Sequence, residues 1–182
     1  VKPSIEVVDY DPAWVELFEQ LKARIWPLVA DFALGIEHVG STSVPGLAAK
    51  PIIDLDIVIP SSTEVPLAVE RLAQLGYGHR GNLGIEGREA FKNPPGSVRH
   101  NLYVCWHGST GLRNHLALRD YLRANPEEAR AYGALKKQLA LEHPHDIDAY
   151  IRDKTDFIIG ILGRMNLNTD QLESIRKANK GS

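Results

Sequence analysis

His38-Val39-Gly40-Ser41-Thr42-Ser43, followed after a short interval by Ile52-Ile53-Asp54-Leu55-Asp56-Ile57-Val58-Ile59, is the stretch that decides the fold. Its second half is apolar and β-branched and stops at Pro60, which predicts a strand over 51–59. Alternate strand residues share a face, so Asp54 and Asp56 point one way while Ile53, Leu55 and Ile57 point the other. Two residues along a strand span about 6.6 Å, so the two carboxylates can converge on one hard cation or bracket a pair. Like charges side by side in an apolar strand are unfavourable unless something positive lies between them. A strand end opening into solvent would hydrate both acids instead, but the apolar run continues past them to Ile59. Gly40 allows backbone N–H groups to approach a phosphate closely, and the hydroxyls of Ser41, Thr42 and Ser43 add donors without charge. Taken alone, that turn reads equally as an ordinary run of small residues.

Working outward, Asp11-Pro12 opens a helix whose apolar positions Trp14, Leu17, Phe18, Leu21 and Ile25 recur at helical spacing. A short strand is predicted over 36–39, a helix over 64–75 and a strand over 98–106, with Gly-rich turns between the last two. The remainder is helical: one helix over 112–123, a second led by Asn125-Pro126-Glu127-Glu128 as cap, first residue and capping acid, and a third capped by Asp146 over 147–162. This order predicts an α+β fold, a mixed sheet flanked by helices and followed by a C-terminal helical layer. We expect one domain over 1–165, with a sheet part over about 1–107 and a helical part over about 108–165, and a polar, fraying tail over 166–182.

A chain of 182 residues buries enough surface, about 70% of what the unfolded chain exposes, to fold without staples. Cys105 is the only cysteine, so neither an internal disulfide nor a cysteine zinc cage can form, and a cytoplasmic setting is expected. No apolar run approaches a membrane span and no secretory leader is visible. The charge sum of −2 offers no basic field for a polynucleotide, so nucleic acid and membrane are not expected partners. It leaves room for a small phosphorylated ligand met by a few inward cations.

Two motifs are decoys. Gly76-Tyr77-Gly78-His79-Arg80-Gly81 fits the dinucleotide pattern but lacks a preceding strand and a following helix, so its glycines read as turn residues. Gly46-Leu47-Ala48-Ala49-Lys50 lacks P-loop spacing. The run His143-Pro144-His145-Asp146 sits in a turn with capping chemistry rather than as a metal site. Helical arithmetic is more informative. At about 100° per residue, Arg119 falls inside the stripe formed by Leu112, His115, Leu116 and Leu122, and Lys154 falls inside that of Ile147, Tyr150, Phe157 and Ile161. A cation facing a core needs an anion, so both are expected to meet Asp54 and Asp56, a bound phosphate, or both. Structural ion pairs are the plainer alternative. Lys136, at the edge of the Tyr132/Leu135/Leu139 stripe, is a weaker candidate, and Lys50 stands just before the acidic strand.

A Gly-Ser turn followed by a strand bearing Asp-x-Asp resembles the signature of the nucleotidyltransferase superfamily. More narrowly, 38–47, 49–54, His100-Asn101-Leu102-Tyr103-Val104-Cys105 and Arg119-Asp120-Tyr121-Leu122-Arg123 resemble the GrpB family over about residues 5 to 160. The resemblance implies a nucleotidyltransferase-like sheet topology. It also implies that Gly40 and Ser41 hold the terminal phosphates of a nucleoside triphosphate and that Asp54 and Asp56 bind Mg²⁺; Thr42, Ser43, Lys50, Arg119 and Lys154 are the further phosphate-binding candidates read from the residues. A third carboxylate on a neighbouring strand normally completes such a site. The strand at 100–104 carries none, with His100 and Leu102 on one face and Asn101 and Tyr103 on the other. Glu86 or Glu89 on the preceding strand is the candidate substitute, and His100 is the candidate base. The expected function is Mg²⁺-dependent nucleotidyl transfer to a small acceptor. The alternatives are a nucleotide- or phosphate-binding module without transfer activity and an accessory domain in which the Asp pair is structural.

Overall fold

The computed structural model of the chain describes residues 4–165 together with Leu172, Glu173 and Arg176. The expected fraying tail therefore falls almost wholly outside the described residues. Five strands, β1 (Gly35–Val39), β2 (Ile53–Ile59), β3 (Gly78–Gly81), β4 (Arg88–Lys92) and β5 (His100–Trp106), form one sheet in the order β1-β2-β5-β4-β3. The central pair β2·β5 is parallel, and the β1·β2, β4·β5 and β3·β4 pairs are antiparallel, so the sheet is mixed as expected. Register sets Asp54 beside Asn101 and Asp56 beside Tyr103 on one side, and Asp54 beside Val39 and Asp56 beside Glu37 on the other.

The two faces have different fates because β2 alternates apolar and acidic residues. Ile53, Leu55, Ile57 and Ile59 are sealed by helices α1 (Ala13–Val29) and α2 (Val65–Ala73) through Trp14, Phe18, Leu21, Ile25, Ala68 and Leu72. Each such side chain contributes about 1.5–3 kcal/mol by leaving water, so this face is the main core. The acidic face cannot be closed by apolar helices without stranding two carboxylates. Helices α3 (Thr110–Ala124), α4 (Pro126–Glu142) and α5 (Ile147–Arg164) lie over it and meet apolar anchors at its two ends. Val58, Cys105 and Leu112 pack at one end; Val44, Leu47, Leu122, Tyr132 and Ile161 pack at the other. A cleft remains between the anchors.

Local sequence signals account for most boundaries. Asp11 accepts from the Ala13 N–H at 2.9 Å, and Asp146 accepts from the Ala149 N–H at 3.0 Å. Ser61 and Glu64 build a reciprocal cap ahead of α2. Asn125 behaves differently from expectation: its side chain donates to the Tyr121 carbonyl at 2.8 Å, closing α3 instead of capping α4. Glu128, expected as the capping acid, accepts from the Tyr121 hydroxyl and from Arg164. The short connection leaves Asn125 serving the helix that ends. Gly78–Gly81 forms edge strand β3, and Gly76 and Gly81 take positive φ at its flanks, so the apparent dinucleotide motif is turn chemistry.

Candidate functional site

Gly40 leaves β1 with φ 71° and ψ −175°, and a Cβ built there would lie 2.2 Å from Asp54 Oδ2. The turn therefore exists in this form only because residue 40 has no side chain. The 3₁₀ turn Ser41–Ser43 that follows is tied down by its own hydroxyls. Ser43 Oγ donates to the Gly40 carbonyl at 2.6 Å, and Thr42 Oγ1 lies 3.0 Å from His38 Nε2. Arg123 donates twice to the Ser43 carbonyl, at 2.9 and 2.8 Å. His38 stacks on Phe18 with ring centroids 4.6 Å apart. Burial, then Arg123 and Arg119, push its pKa down to about 4, so it is neutral near pH 7. Gly40, Ser41 and Thr42 line the cleft, whereas Ser43 is a buried turn-holder rather than a donor to a ligand.

Asp54 faces this cleft. Its Oδ1 accepts from Asn101 Nδ2 at 2.7 Å. Burial pushes its pKa up, against the Asn101 hydrogen bond and the neighbouring His115. Asp56, two residues on, is fully buried. Its Oδ2 lies 2.7 Å from His115 Nδ1, and its Oδ1 has no partner among the described residues. Burial works against charging His115, but Asp56, by charge and hydrogen bond, outweighs it and holds the His115 pKa above its ordinary value.

Opposite the acids stand cations that have no hydrogen-bond or ion-pair partner among the described residues. Lys50, Lys136 and Lys154 line the same cavity of about 410 Å³ as Gly40, Ser41 and Asp54. Lys136 is 2% exposed, its Nζ has no hydrogen-bond partner among the described residues, and it lies 4.5 Å from the Tyr132 ring centroid. Lys50 and Lys154 lie 5.5 and 5.6 Å from the Tyr150 ring centroid. Burial and mutual repulsion push the Lys136 pKa well below the ordinary lysine value. Burial, then Lys50, push Lys154 down to about 8 against the pull of Asp54. Arg88, 8% exposed, lies 4.3 Å over the Tyr103 ring; neither a hydrogen bond nor an ion pair engages it among the described residues. Unpaired buried cations are costly unless an anion completes them.

A pH dependence follows. Phosphate affinity is expected to fall as pH rises through about 8, where Lys154 loses its proton. The ligand-free protein behaves oppositely. Between about 8 and the ordinary lysine value of 10.5 the unfolded chain holds a proton that the folded chain has shed, so Lys154 makes stability rise with pH there. Calorimetric titration with ATP at about pH 7 and about pH 9, and urea midpoints at the same pH values, check both signs. Lys154→Met is expected to flatten both.

The GrpB protein family profile matches residues 4–164. The chain belongs to the GrpB family. It is 38% identical over 157 residues to the UPF0157 protein YqkA of Bacillus subtilis, covering 86% of this chain but 46% of that one, so it spans about half the length of this curated relative. The crystal structure of GrpB from Enterococcus faecalis superposes with a TM-score of 0.78 at 38% identity, covering 94% of this chain and 98% of that one. Cid1 poly(U) polymerase, in a structure with MgGTP bound, superposes with a TM-score of 0.52 at 15% identity, covering 73% and 44% of the two chains. That likeness shows a shared nucleotidyltransferase-like fold.

In this GrpB family member three expectations are corrected. His100 lies on the apolar face, in register with Ile53, where its Nε2 is 2.8 Å from the Tyr77 hydroxyl and its Nδ1 is 2.6 Å from the Val98 carbonyl. It is a satisfied core histidine on the wrong side of the sheet to act as a base beside the acids. Arg119 does face inward, but it donates to Glu37 at 2.7 Å, to the His38 carbonyl at 3.1 Å and to Asp120 at 2.8 Å. Its charge is answered by β1 and by its own neighbour Asp120 rather than by Asp54 and Asp56. Glu89 pairs with His79 at 2.7 Å, and Glu86 is exposed, so neither stands beside Asp54 and Asp56 as a third acid. His143 pairs with Asp153 at 2.8 Å, in keeping with a structural role for that turn. Arg88, Asn101, Tyr103 and His115 are the cleft residues that motif reading passed over. The signal for His115 lay in the α3 stripe, one turn before Arg119. That for Asn101 and Tyr103 lay in strand alternation, and Arg88 had none.

Among the described residues no three His, Cys, Asp or Glu side chains cluster as a metal site. Mg²⁺ is commonly held by one or two carboxylates together with substrate phosphates rather than by an all-protein cage. The unpartnered Asp56 Oδ1 and the cleft-facing Asp54 carboxylate fit an ion of that kind. Among the described residues no helix is long and apolar enough to cross a membrane.

Proposed function

We propose that the cleft binds a nucleoside triphosphate through its phosphates and transfers the nucleotidyl group to a small-molecule acceptor. The observation that carries this reading is the buried, unpartnered Lys136 in the cavity lined by Gly40, Ser41, Lys50 and Lys154. Three ammonium groups facing a glycine turn match a polyphosphate in charge and donors. The fold shared with Cid1 supports the reaction class by analogy. Mg²⁺ delivered with the nucleotide would be held by Asp54 and Asp56 and would neutralise phosphate charge.

In the transfer an acceptor oxygen or nitrogen forms a bond to the α-phosphorus, the bridging P–O bond to the β-phosphate breaks, and pyrophosphate leaves with that electron pair. His115 is the chain's proton acceptor for the nucleophile. Its Nδ1 is held by Asp56 at 2.7 Å, which leaves Nε2 as the free ring nitrogen. Lys50, Lys136 and Lys154 stabilise the charge on the leaving group. A nucleotide ligand and a lone, buried Cys105 suit a cytoplasmic protein.

A second reading, a phosphate-binding module without transfer activity, is favoured by Asn101, which donates to Asp54 from the strand where a third acid would stand. Calorimetry with ATP and GTP, with and without Mg²⁺, followed by pyrophosphate release against pooled hydroxyl and amine acceptors, separates the two. Transfer predicts Mg²⁺-dependent release that Asp54→Asn lowers by about 100-fold or more. Binding without release in any pool favours the module. Absence of binding by either nucleotide rejects both.

A further inference from the structure

The cleft continues beyond the lysines into a second cavity of about 410 Å³ between the β4–β5 end of the sheet, the start of α3 and the body of α5. Arg88, His115 and Lys154 belong to both cavities and form the partition between them. The second cavity differs in chemistry. Trp106, Leu118, Ile158 and Leu162 give it an apolar body, and its arginine and lysine, Arg88 and Lys154, both stand in the partition. Thr110 and Gly111 open α3 against this space, and their N–H groups precede the first intrahelical bond. The Ser109 hydroxyl accepts instead from Leu112.

Two buried polar atoms on this cavity lack a hydrogen-bond partner among the described residues. Arg88 is 8% exposed with its Nε unpartnered, and Asn114 Oδ1 is buried without a partner. Glu86, the one acid on this cavity, is an exposed rim residue.

We infer that this second cavity is the acceptor site, and that it takes a small carboxylic acid with an apolar body and a hydroxyl or amino group. The carboxylate sits between the Arg88 guanidinium and the Thr110–Gly111 N–H groups, and the hydroxyl or amine donates to Asn114 Oδ1. Arg88 and one helix N-terminus, worth about half a charge, suit a monoanion, whereas Lys50 and Lys136, which do not line this cavity, direct a polyphosphate to the first one. The partition opens the acceptor's cavity onto the nucleotide cleft, as transfer between the two ligands requires. Assignment as the acceptor's site rests on the nucleotidyl-transfer reading; occupancy by a carboxylate does not.

The test uses 3-phenylpropanoate and its neutral amide as probes, followed in amide and Arg Nε–H NMR spectra of the full chain. The carboxylate is expected to shift Thr110, Gly111 and the Arg88 Nε–H and to bind about tenfold more tightly than the amide. Arg88→Met, which keeps the stem and removes an unpaired buried charge, is expected to reduce that preference to about twofold. Lys136→Met is expected to weaken ATP but leave the carboxylate shifts in place. Equal binding of acid and amide, no shifts at Thr110 and Gly111, or a preference that survives Arg88→Met each overturns the site. Carboxylate binding without any ATP binding retains the pocket and overturns its role as acceptor site. ATP binding without carboxylate shifts keeps the nucleotide reading and removes this one.

Discussion

Lys136→Met is expected to make the protein more stable and a poorer nucleotide binder at once. The native Lys136 side chain is 2% exposed and its Nζ has no hydrogen-bond partner among the described residues, with Lys154 and Lys50 adding repulsion. Methionine fills similar length, keeps the contact with the Tyr132 ring and removes the desolvated amine. Replacing buried charge by apolar volume commonly stabilises by about 1–4 kcal/mol, so a rise of several degrees in Tm is expected. Affinity for ATP is expected to fall about 10- to 100-fold, because one charge-assisted bond to phosphate is lost in a water-poor cavity. Differential scanning calorimetry and isothermal titration read the two effects separately. A fall in Tm with unchanged ATP affinity would make Lys136 a structural residue and sink the phosphate assignment.

Gly40→Ala is expected to be the most damaging single-methyl change in the cleft. The backbone there has φ 71°, and the new Cβ would stand 2.2 Å from Asp54 Oδ2, a half-buried carboxylate on a central strand that Asn101 holds at 2.7 Å. Left-handed strain alone costs about 1–3 kcal/mol. The collision also displaces the acid that faces the ligand, so ATP affinity is expected to drop about 100-fold. Gly46→Ala is the control. Gly46 has φ 79° in the same loop, but nothing lies within 4 Å of its Cβ position. That variant is expected to lose comparable stability while keeping ATP affinity within about twofold. If both variants bind ATP like the parent protein, the Gly40 turn has no part in phosphate recognition.

Much of the fold and part of the cleft are legible in the residues themselves, because the signals are local. The alternation Ile53-Asp54-Leu55-Asp56-Ile57 allows one arrangement, acids on one face and core on the other, and the sheet has it. Asp11 and Asp146 mark helix starts through bonds to residues two and three positions on. Asn125 shows where such reading stops: with α3 and α4 a residue apart, the same side chain can serve either helix, and packing chose the one that ends.

Face assignment also separates His100 from the site. Strand alternation already split it from Asn101 and Tyr103, but only the parallel register with β2 tells which of the two faces carries the acids. Helix α3 teaches the same lesson. His115 and Arg119 lie one turn apart on one stripe, and periodicity cannot say which of them meets Asp56. The crossing of α3 over the β1 edge gives Glu37 to Arg119 and Asp56 to His115.

What the amino-acid sequence determined by itself was the acidic strand, the glycine turn before it, the helical layer after it and, through those motifs, the resemblance to the GrpB family. These rest on interactions within a few residues, whose geometry the backbone periods set. The tertiary structure decided which of the candidate cations meet in the cleft, setting Arg119 aside and adding Arg88. Lys50, Lys136, Lys154 and Arg88 come from a loop, two helices and a strand, and no local pattern brings them together. They converge because an acidic sheet face cannot be sealed by apolar helices, and the space left there is where unpaired charges of both signs collect.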